Sequence, residues 1–149
     1  MQKLALNIWR AFSLASAFSV LAVVFGHAFA ADDPLYTDLG GRDGIDKIAQ
    51  YTTANFLADP RIKATFDNTN MERFEKLLSE QFCVVAGGPC EYKGRSMKEA
   101  HKALGLDNAD FNAVVEDLQD ALDKANIPFA TQNRFLARLA PMQHDVVTK

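Results

Sequence analysis

The segment from Gly87 to His101 combines a break in the chain with a residue that can bind a metal. The turn Gly87-Gly88-Pro89 ends one predicted helix, and a second, short predicted helix follows around Met97 to Leu104. His101 lies on that short helix, where an imidazole can serve as a single axial ligand. A lone histidine on a helix is more often a hydrogen-bonded structural residue, so its neighbours must decide between the two interpretations.

Bulky apolar side chains precede this histidine in an order that favours a cavity. The helix before the glycines presents Phe74, Leu77 and Leu78, and Phe66 comes from the turn before that helix. A long glycine-broken loop can carry His101 to the other side of the same space. A cavity of aromatic and aliphatic side chains with one imidazole is what a b-type haem requires, although each aromatic residue alone is more typical of core packing.

Two cysteines, Cys83 and Cys90, flank the Gly-Gly-Pro turn and are the only ones in the sequence. In an oxidising compartment they can pair, because the turn can bring the chain back toward the end of the preceding helix. A bridge would close a loop of eight residues and contribute roughly 2–3 kcal/mol to the free energy of unfolding. The alternatives are two free thiols, or a metal site that includes His101. The metal site is disfavoured because structural zinc sites usually have four such ligands.

The first thirty residues have the pattern of a secretory signal peptide. A lysine and an arginine make the start positive, Ala11 to Phe25 is an apolar run of fifteen residues, and Ala28-Phe29-Ala30 fits cleavage between small residues. The run is shorter than the ~20 residues that span a bilayer, and an uncleaved signal anchor is the alternative. We predict a cleaved signal peptide over 1–30, one domain over 31–149, a periplasmic or secreted location, and no stable membrane insertion after cleavage.

Length and charge restrict the class of partner. A mature chain of 119 residues suits one domain with one core. The formal charge is −3 for the whole chain and −5 without residues 1–30, which carry two basic and no acidic residues. Because nucleic-acid surfaces are basic and anionic lipid attracts positive charge, we expect no nucleic-acid partner and favour a small molecule or a protein. A monomer or weak dimer is expected.

The spacing of apolar residues is helical almost throughout the mature chain, and no run alternates convincingly with a period of two. The clearest stripe is Met71, Phe74, Leu78, Phe82 and Val85 on one helix face. We therefore predict an all-α fold. The first long helix is predicted to lie between Gly40-Gly41 and Pro60, and the second to begin at a capping box of Thr69 and Glu72. The third is predicted to begin at Asp107 and the last at Pro128. Pro141 should kink the final turns of the last helix.

Seven short motifs occur in a fixed order along almost the whole mature chain. They are Leu35-Tyr36-Thr37-Asp38-Leu39-Gly40-Gly41, Leu57-Ala58-Asp59-Pro60-Arg61-Ile62 leading to Phe66, Thr69-Asn70-Met71, Gly87-Gly88-Pro89, Tyr92-Lys93-Gly94, Met97-Lys98-Glu99-Ala100-His101 and Ala140-Pro141-Met142. With these motifs, nearly all of residues 33–147 resembles the group 1 truncated haemoglobins, the small two-over-two globins. The resemblance implies a two-over-two helical sandwich that holds one haem.

The resemblance also implies the residues around that haem. The proximal histidine, its metal ligand, corresponds to His101, and the phenylalanine stacked on the porphyrin corresponds to Phe66. Phe74, Leu78 and Met97 are the other expected cofactor-binding residues. Because the chain has no CxxCH sequence, covalent c-type attachment is not expected and the cofactor is predicted to be haem b.

The expected distal pocket, on the side of the haem opposite His101, departs from the family pattern. Many members have a tyrosine on the second helix and a glutamine on the facing helix. By alignment these positions are Thr53 and Leu78, and Phe74 lies opposite the proximal histidine. Thr53 has a short hydroxyl that can instead bond its own helix backbone, and Thr52 beside it is interpreted in the same way. The pocket of these four residues is therefore mostly apolar.

The resemblance implies reversible binding of a diatomic gas (oxygen, nitric oxide or carbon monoxide), with an unidentified electron donor that keeps the iron ferrous. A distal donor to dioxygen contributes on the order of 1–3 kcal/mol, so its loss predicts faster release of dioxygen. The enzymatic alternative, less expected than gas binding, is nitric oxide dioxygenation or a peroxidase-like reaction. The alternative from another class is a haem-free helical adaptor whose cavity is simply core.

Overall fold

The structure, a computed structural model, describes residues 34–149, and every regular element in that range is helical. The helices are α1 Leu35–Asp38, α2 Gly41–Ala58, α3 Met71–Val85, α4 Met97–His101, α5 Asn108–Lys124, α6 Phe129–Leu139 and α7 Gln143–Val146, with 3-10 turns at Lys63–Phe66 and Ala140–Met142. The all-α prediction is confirmed for this part of the chain. The interruption at Ala140–Met142 also agrees with the kink predicted at Pro141.

The four long helices form two layers, with α2 and α3 in one and α5 and α6 in the other. α2 packs along both α3 and α5, so its inward face is buried over most of its length. The main core lies between the layers, where the rings of Phe82 and Phe135 meet edge to face at 5.2 Å. Full burial of a phenylalanine contributes roughly 1.5–3 kcal/mol, so this contact is a main tie between α3 and α6.

Capping side chains begin two of the long helices. Asp107 accepts hydrogen bonds from the backbone N–H groups of Ala109 and Asp110, and the Asp110 carboxylate accepts one in return, which confirms Asp107 as the cap of α5. The capping box predicted at Thr69 is wrong by one residue. Asn70 caps α3 by accepting from Arg73 N at 2.9 Å, and the Thr69 N–H, which a capping box would offer to Glu72, donates instead to Phe66 O in the preceding turn.

The end of α3 is a left-handed glycine turn, as predicted. Gly87 has φ +82°, its N–H donates to Val84 O, and the Gly88 N–H donates to Cys83 O at 2.8 Å. These two bonds form a Schellman motif, which satisfies the last carbonyl groups of the helix and turns the chain back. Cys90 is thereby returned to Cys83, and the two sulfur atoms are bonded in the structure.

The helix that carries His101 is shorter than predicted. α4 ends at His101 rather than near Leu104, since the Leu104 N–H donates to His101 O in a turn and Gly105 follows with φ +63°. Its start is fixed by a capping box of Ser96 and Glu99, which the sequence did not single out. α7 packs against α4, so the C-terminal segment helps to hold this short helix in place.

The structure does not extend to the predicted signal peptide. Residues 1–30 lie outside the described range, so their cleavage and the domain boundary at residue 31 stay predictions. Within residues 34–149, no helix is both long and apolar enough to cross a bilayer.

Candidate functional site

His101 is oriented by its own helix. Its Nδ1 lies 2.7 Å from Met97 O, one turn earlier. A carbonyl oxygen only accepts, so the neutral ring carries its proton on Nδ1 and keeps a lone pair on Nε2. Nε2 has no hydrogen-bond partner among residues 34–149, and the side chain is half-buried. A histidine held through one ring nitrogen with the other free is arranged as metal ligands usually are.

The capping box at the start of α4 includes a charged carboxylate. The Glu99 carboxylate accepts hydrogen bonds from the Ser96 hydroxyl, at 2.8 Å, and from the Ser96 N–H. These bonds lower the pKa of Glu99 below its ordinary value, so the capping box is intact at neutral pH. The Gln81 amide, on α3, reaches across to Met97 Sδ at 3.1 Å and to Met142 Sδ at 3.4 Å. α3 and α4 are therefore connected at the expected cofactor residue Met97.

Three of the expected cofactor residues come together around one aromatic cluster. The ring of Phe66 contacts that of Phe74 edge to face at 5.3 Å and stacks on that of Phe56 at 5.6 Å. Phe66, Phe74 and Leu78 pack against the same small buried cluster, which contains Phe56 and Ile62. Because Phe66, Phe74 and Leu78 remain partly exposed, they offer apolar surface that the protein does not cover.

The two threonines of the expected distal pocket are both buried but differ in hydrogen bonding. Thr52 Oγ1 donates to Ile48 O at 2.8 Å, as interpreted from the sequence. The same interpretation is wrong for Thr53, whose Oγ1 has no partner among the described residues. Thr53 lies one turn before Phe56, on the helix face that meets the aromatic cluster. A buried hydroxyl without a partner costs about 1–3 kcal/mol, which a polar ligand in this space would offset.

A second unpartnered buried atom belongs to a residue that the sequence did not suggest. Asp117 Oδ2 on α5 makes no hydrogen bond within the described range, although its backbone carbonyl accepts from Asn55 Nδ2 at 2.8 Å. Burial raises the pKa of Asp117, and the negative charge of Asp59 raises it further, while Arg61 opposes both. Its burial could have been predicted from the sequence, since Asp117 falls on the inward stripe of α5 between Val114 and Leu118.

The two cysteines are not available to a metal in this structure. Cys83 and Cys90 are joined to each other, with their Cα atoms 5.9 Å apart. Residues 34–149 contain no cluster of three or more histidine, cysteine or acidic side chains that could hold a metal ion. The alternative metal site with His101 is therefore not formed. The remaining histidine of the described range, His144, is exposed and its Nδ1 contacts Pro141 O.

These features fit a flat, apolar macrocycle with a central metal. His101 has a free Nε2, and Phe66, Phe74 and Leu78 present uncovered apolar surface. The Thr53 hydroxyl has no hydrogen-bond partner among the described residues. One imidazole with an apolar surround is the donor set that haem takes in globins. The residues present therefore fit the cofactor that the resemblance implies.

Comparison with known proteins agrees with this fit. The family described as bacterial-like globin matches residues 34–148. A group 1 truncated haemoglobin of Tetrahymena pyriformis is 31% identical over 115 residues, covering 77% of this chain and 95% of the relative. One of Mycolicibacterium paratuberculosis is also 31% identical, over 114 residues, covering 76% and 84%.

Solved structures give the same fold. The crystal structure of the truncated haemoglobin from Tetrahymena pyriformis, in its Fe(III) form, superposes with a TM-score of 0.75 at 31% identity, covering 77% of this chain and 98% of that one. The 2/2 haemoglobin of Synechococcus sp. PCC 7002, with covalently attached haem, gives 0.70 at 28% identity, covering 77% and 98%. The two-over-two arrangement is thus confirmed. Variants of the Tetrahymena protein change a tyrosine and two glutamines whose spacing equals that of Thr53, Phe74 and Leu78.

Proposed function

Because the chain belongs to the bacterial-like globin family and is a group 1 truncated haemoglobin, we propose that it binds one haem b through His101 and takes up a diatomic gas on the opposite side. The observation that carries the proposal is the orientation of His101, with Nδ1 bonded to Met97 O and Nε2 free. The same backbone bond fixes the ring plane, so little rotamer entropy is lost when Nε2 gains a metal.

The haem would supply reversible gas binding at its iron, and the residues of this chain would set its surroundings. With haem bound, the rings of Phe66 and Phe74 would exclude water from the pocket, and Leu78 would extend the apolar wall. Thr53 is the one group of the four expected distal residues with an unused donor. The pocket therefore combines a single unused hydroxyl donor with mostly apolar walls.

This composition favours some gases over others. Dioxygen in a globin pocket carries partial negative charge and gains on the order of 1–3 kcal/mol from a good hydrogen-bond donor. A threonine hydroxyl is short, so we propose a weaker stabilisation than a tyrosine would give, and faster release. Carbon monoxide and nitric oxide depend less on such a donor. Gas binding or sensing with rapid exchange is therefore the function that we favour over oxygen storage.

We also propose that the protein acts outside the cytoplasm, on the basis of the sequence alone. The signal-like pattern of residues 1–30 and the paired cysteines are consistent with an oxidising compartment. Intact mass of the protein recovered from the periplasm or medium tests the location. The expected mass is that of a chain whose first residue is Ala31. A protein found in the cytoplasm with residues 1–30 still attached would contradict export.

The test of haem binding uses the two histidines of the described range as a matched pair. The purified protein and its His101→Ala and His144→Ala variants are titrated with haemin and followed by the Soret band. Wild type and His144→Ala should give the same sharp band, and His101→Ala should lose it until free imidazole is added. An unchanged band in His101→Ala would refute the proximal role. No band in any of the proteins, with folding unaffected by haemin, would favour the haem-free adaptor.

A further inference from the structure

The Cys83–Cys90 disulfide is asymmetric in its exposure. Cys83 is fully buried in the main core, whereas Cys90 is partly exposed. Cys90 forms part of the wall of an open groove of about 440 Å³. The other residues that line the groove are Tyr36, Arg42, Glu80, Pro89, Glu91 and Lys93. A thiol in solution can therefore reach one sulfur of the bridge and not the other.

A positive charge lies beside the accessible sulfur. Arg42 Nη1 is 3.7 Å from Cys90 Sγ, and the guanidinium is held by an ion pair of 2.9 Å with Asp46. The other cation of the groove, Lys93, pairs with Glu91 at 3.5 Å. A guanidinium next to Cys90 Sγ attracts an incoming thiolate, and it stabilises Cys90 as a thiolate when that residue is released at the end of a thiol–disulfide exchange. Cys90 is therefore the reactive half of the bridge in charge as well as in exposure.

We propose that Cys90 is a site of thiol–disulfide exchange, through which a dithiol reductant opens the Cys83–Cys90 bridge in the folded protein. The reductant is either a small dithiol or the exposed dithiol of a protein, since both present the same chemistry to the groove. The bridge is then a reversible tether rather than a permanent cross-link.

The exchange takes place in two steps. A thiolate of the reductant attacks Cys90 Sγ and forms a mixed disulfide, while the Cys83–Cys90 bond breaks and Cys83 leaves as a thiolate that takes up a proton. The second thiol of the reductant, as its thiolate, then attacks the reductant sulfur of the mixed disulfide and releases Cys90 as a thiolate beside Arg42. Two electrons pass from the reductant, which ends as a disulfide, to the two cysteines.

Opening the bridge would loosen the segment that leads to His101. The backbone of Gly88 packs so closely beside the bridge that a Cβ there would lie 2.7 Å from Cys83 Sγ. Between Cys90 and α4, the hydrogen bond that ties the segment to α3 is long, 3.4 Å from Lys93 N to Glu80 Oε2. This consequence rests on the proposed function: with haem bound through His101, we expect haem loss roughly tenfold faster after reduction, the change that 1.4 kcal/mol produces.

Mapping of the mixed disulfide tests the point of attack without reference to haem. The oxidised protein is treated with excess glutathione at neutral pH without denaturant, quenched with acid, and mapped by peptide mass spectrometry. Glutathione should be found on Cys90, with Cys83 as the free thiol. An adduct on Cys83, or reduction that occurs only as fast as the protein unfolds, would overturn the proposal.

Rates of reduction test the role of Arg42 and the source of the dithiol. Arg42→Gln should slow reduction by dithiothreitol about three- to tenfold, and Lys47→Gln, an equal charge change at an exposed position of the same helix, should not. Equal rates in both variants would contradict the role of Arg42. Reaction with both dithiothreitol and a reduced thioredoxin indicates access by a protein dithiol, whereas reaction with dithiothreitol alone restricts the site to small thiols.

Transfer of haem to a scavenging globin tests the consequence. The reduced protein and the Cys83→Ser/Cys90→Ser double variant should both lose haem faster than the oxidised protein. Equal rates of haem loss would refute the role of the disulfide in retaining haem. The proposed exchange at Cys90 would then still depend only on the peptide mapping. Failure of every form to take up haem would refute the proposed function instead, and the mapping result would remain valid.

Discussion

Replacing Thr53 and Thr52 separately by valine tests the distal pocket through a matched pair. Both side chains are buried on α2, and valine keeps their branched shape. Thr53→Val removes a hydroxyl without a partner and should raise the free energy of unfolding of the haem-free protein by about 1–3 kcal/mol. Thr52→Val removes a bond of 2.8 Å to Ile48 O and should lower it by about 0.5–1.5 kcal/mol, since the helix still supplies that carbonyl with a donor.

Relative to wild type the two variants should shift in opposite directions, so their free energies of unfolding should differ by about 1.5–4.5 kcal/mol, or roughly 5–18 °C between their midpoints of thermal unfolding. Urea and thermal unfolding followed by circular dichroism measure the difference. With haem and dioxygen bound, Thr53→Val should also release dioxygen faster, by a few-fold, while Thr52→Val should not. If Thr53→Val is less stable than Thr52→Val, or if both release dioxygen like wild type, the Thr53 hydroxyl is not the free donor of the pocket.

Three further changes test other features. Gly88→Ala places a Cβ 2.4 Å from the Tyr36 ring and 2.7 Å from Cys83 Sγ, and should lower the free energy of unfolding in urea by about 1–3 kcal/mol. Adding Tyr36→Leu to the same chain should restore part of that stability. If it restores none, the strain does not come from contact with the Tyr36 ring. Burial raises the pKa of Asp117 above 3.8, so its charge costs stability that is regained as pH falls. Asp117→Asn, which imitates the protonated carboxyl, should therefore be more stable than wild type at neutral pH and equal to it in acid; a gap that widens in acid would contradict this sign. Phe74→Gln adds an amide donor and should slow dioxygen release about tenfold in stopped-flow experiments, with carbon monoxide release nearly unchanged. Equal slowing for both gases would indicate a change of access instead.

Local signals accounted for most helix boundaries. Asp107, Pro128 and the glycines at Gly87 act through their own backbone or nearest turn, so the sequence was sufficient to predict them. The predictions failed where two neighbours compete for one role. Asn70 caps α3, and the Thr69 N–H that a capping box would offer to Glu72 is used by the preceding turn, which composition does not reveal.

The site residues could be proposed from sequence, but their hydrogen-bond states could not. Adjacent threonines have the same propensity, yet only Thr52 bonds Ile48 O, because rotamer and packing against other helices decide which hydroxyl finds a carbonyl. The bond from His101 to Met97 O depends in the same way on a side-chain torsion. Asp117 lies on the same inward stripe of α5 as Val114 and Leu118, and a pattern of apolar residues by itself does not predict a buried carboxylate within it.

The most direct test of the central claim is the resonance Raman spectrum of the ferrous, gas-free protein with haem. A single iron–histidine stretching band is expected, because His101 is held by Met97 O and presents Nε2 to the metal. The band should disappear in His101→Gly, return with added imidazole, shift with isotopically labelled imidazole, and remain in His144→Gly. A band that persists unchanged in His101→Gly, or a wild-type protein that binds no haem, would contradict the assignment of His101 as the proximal ligand.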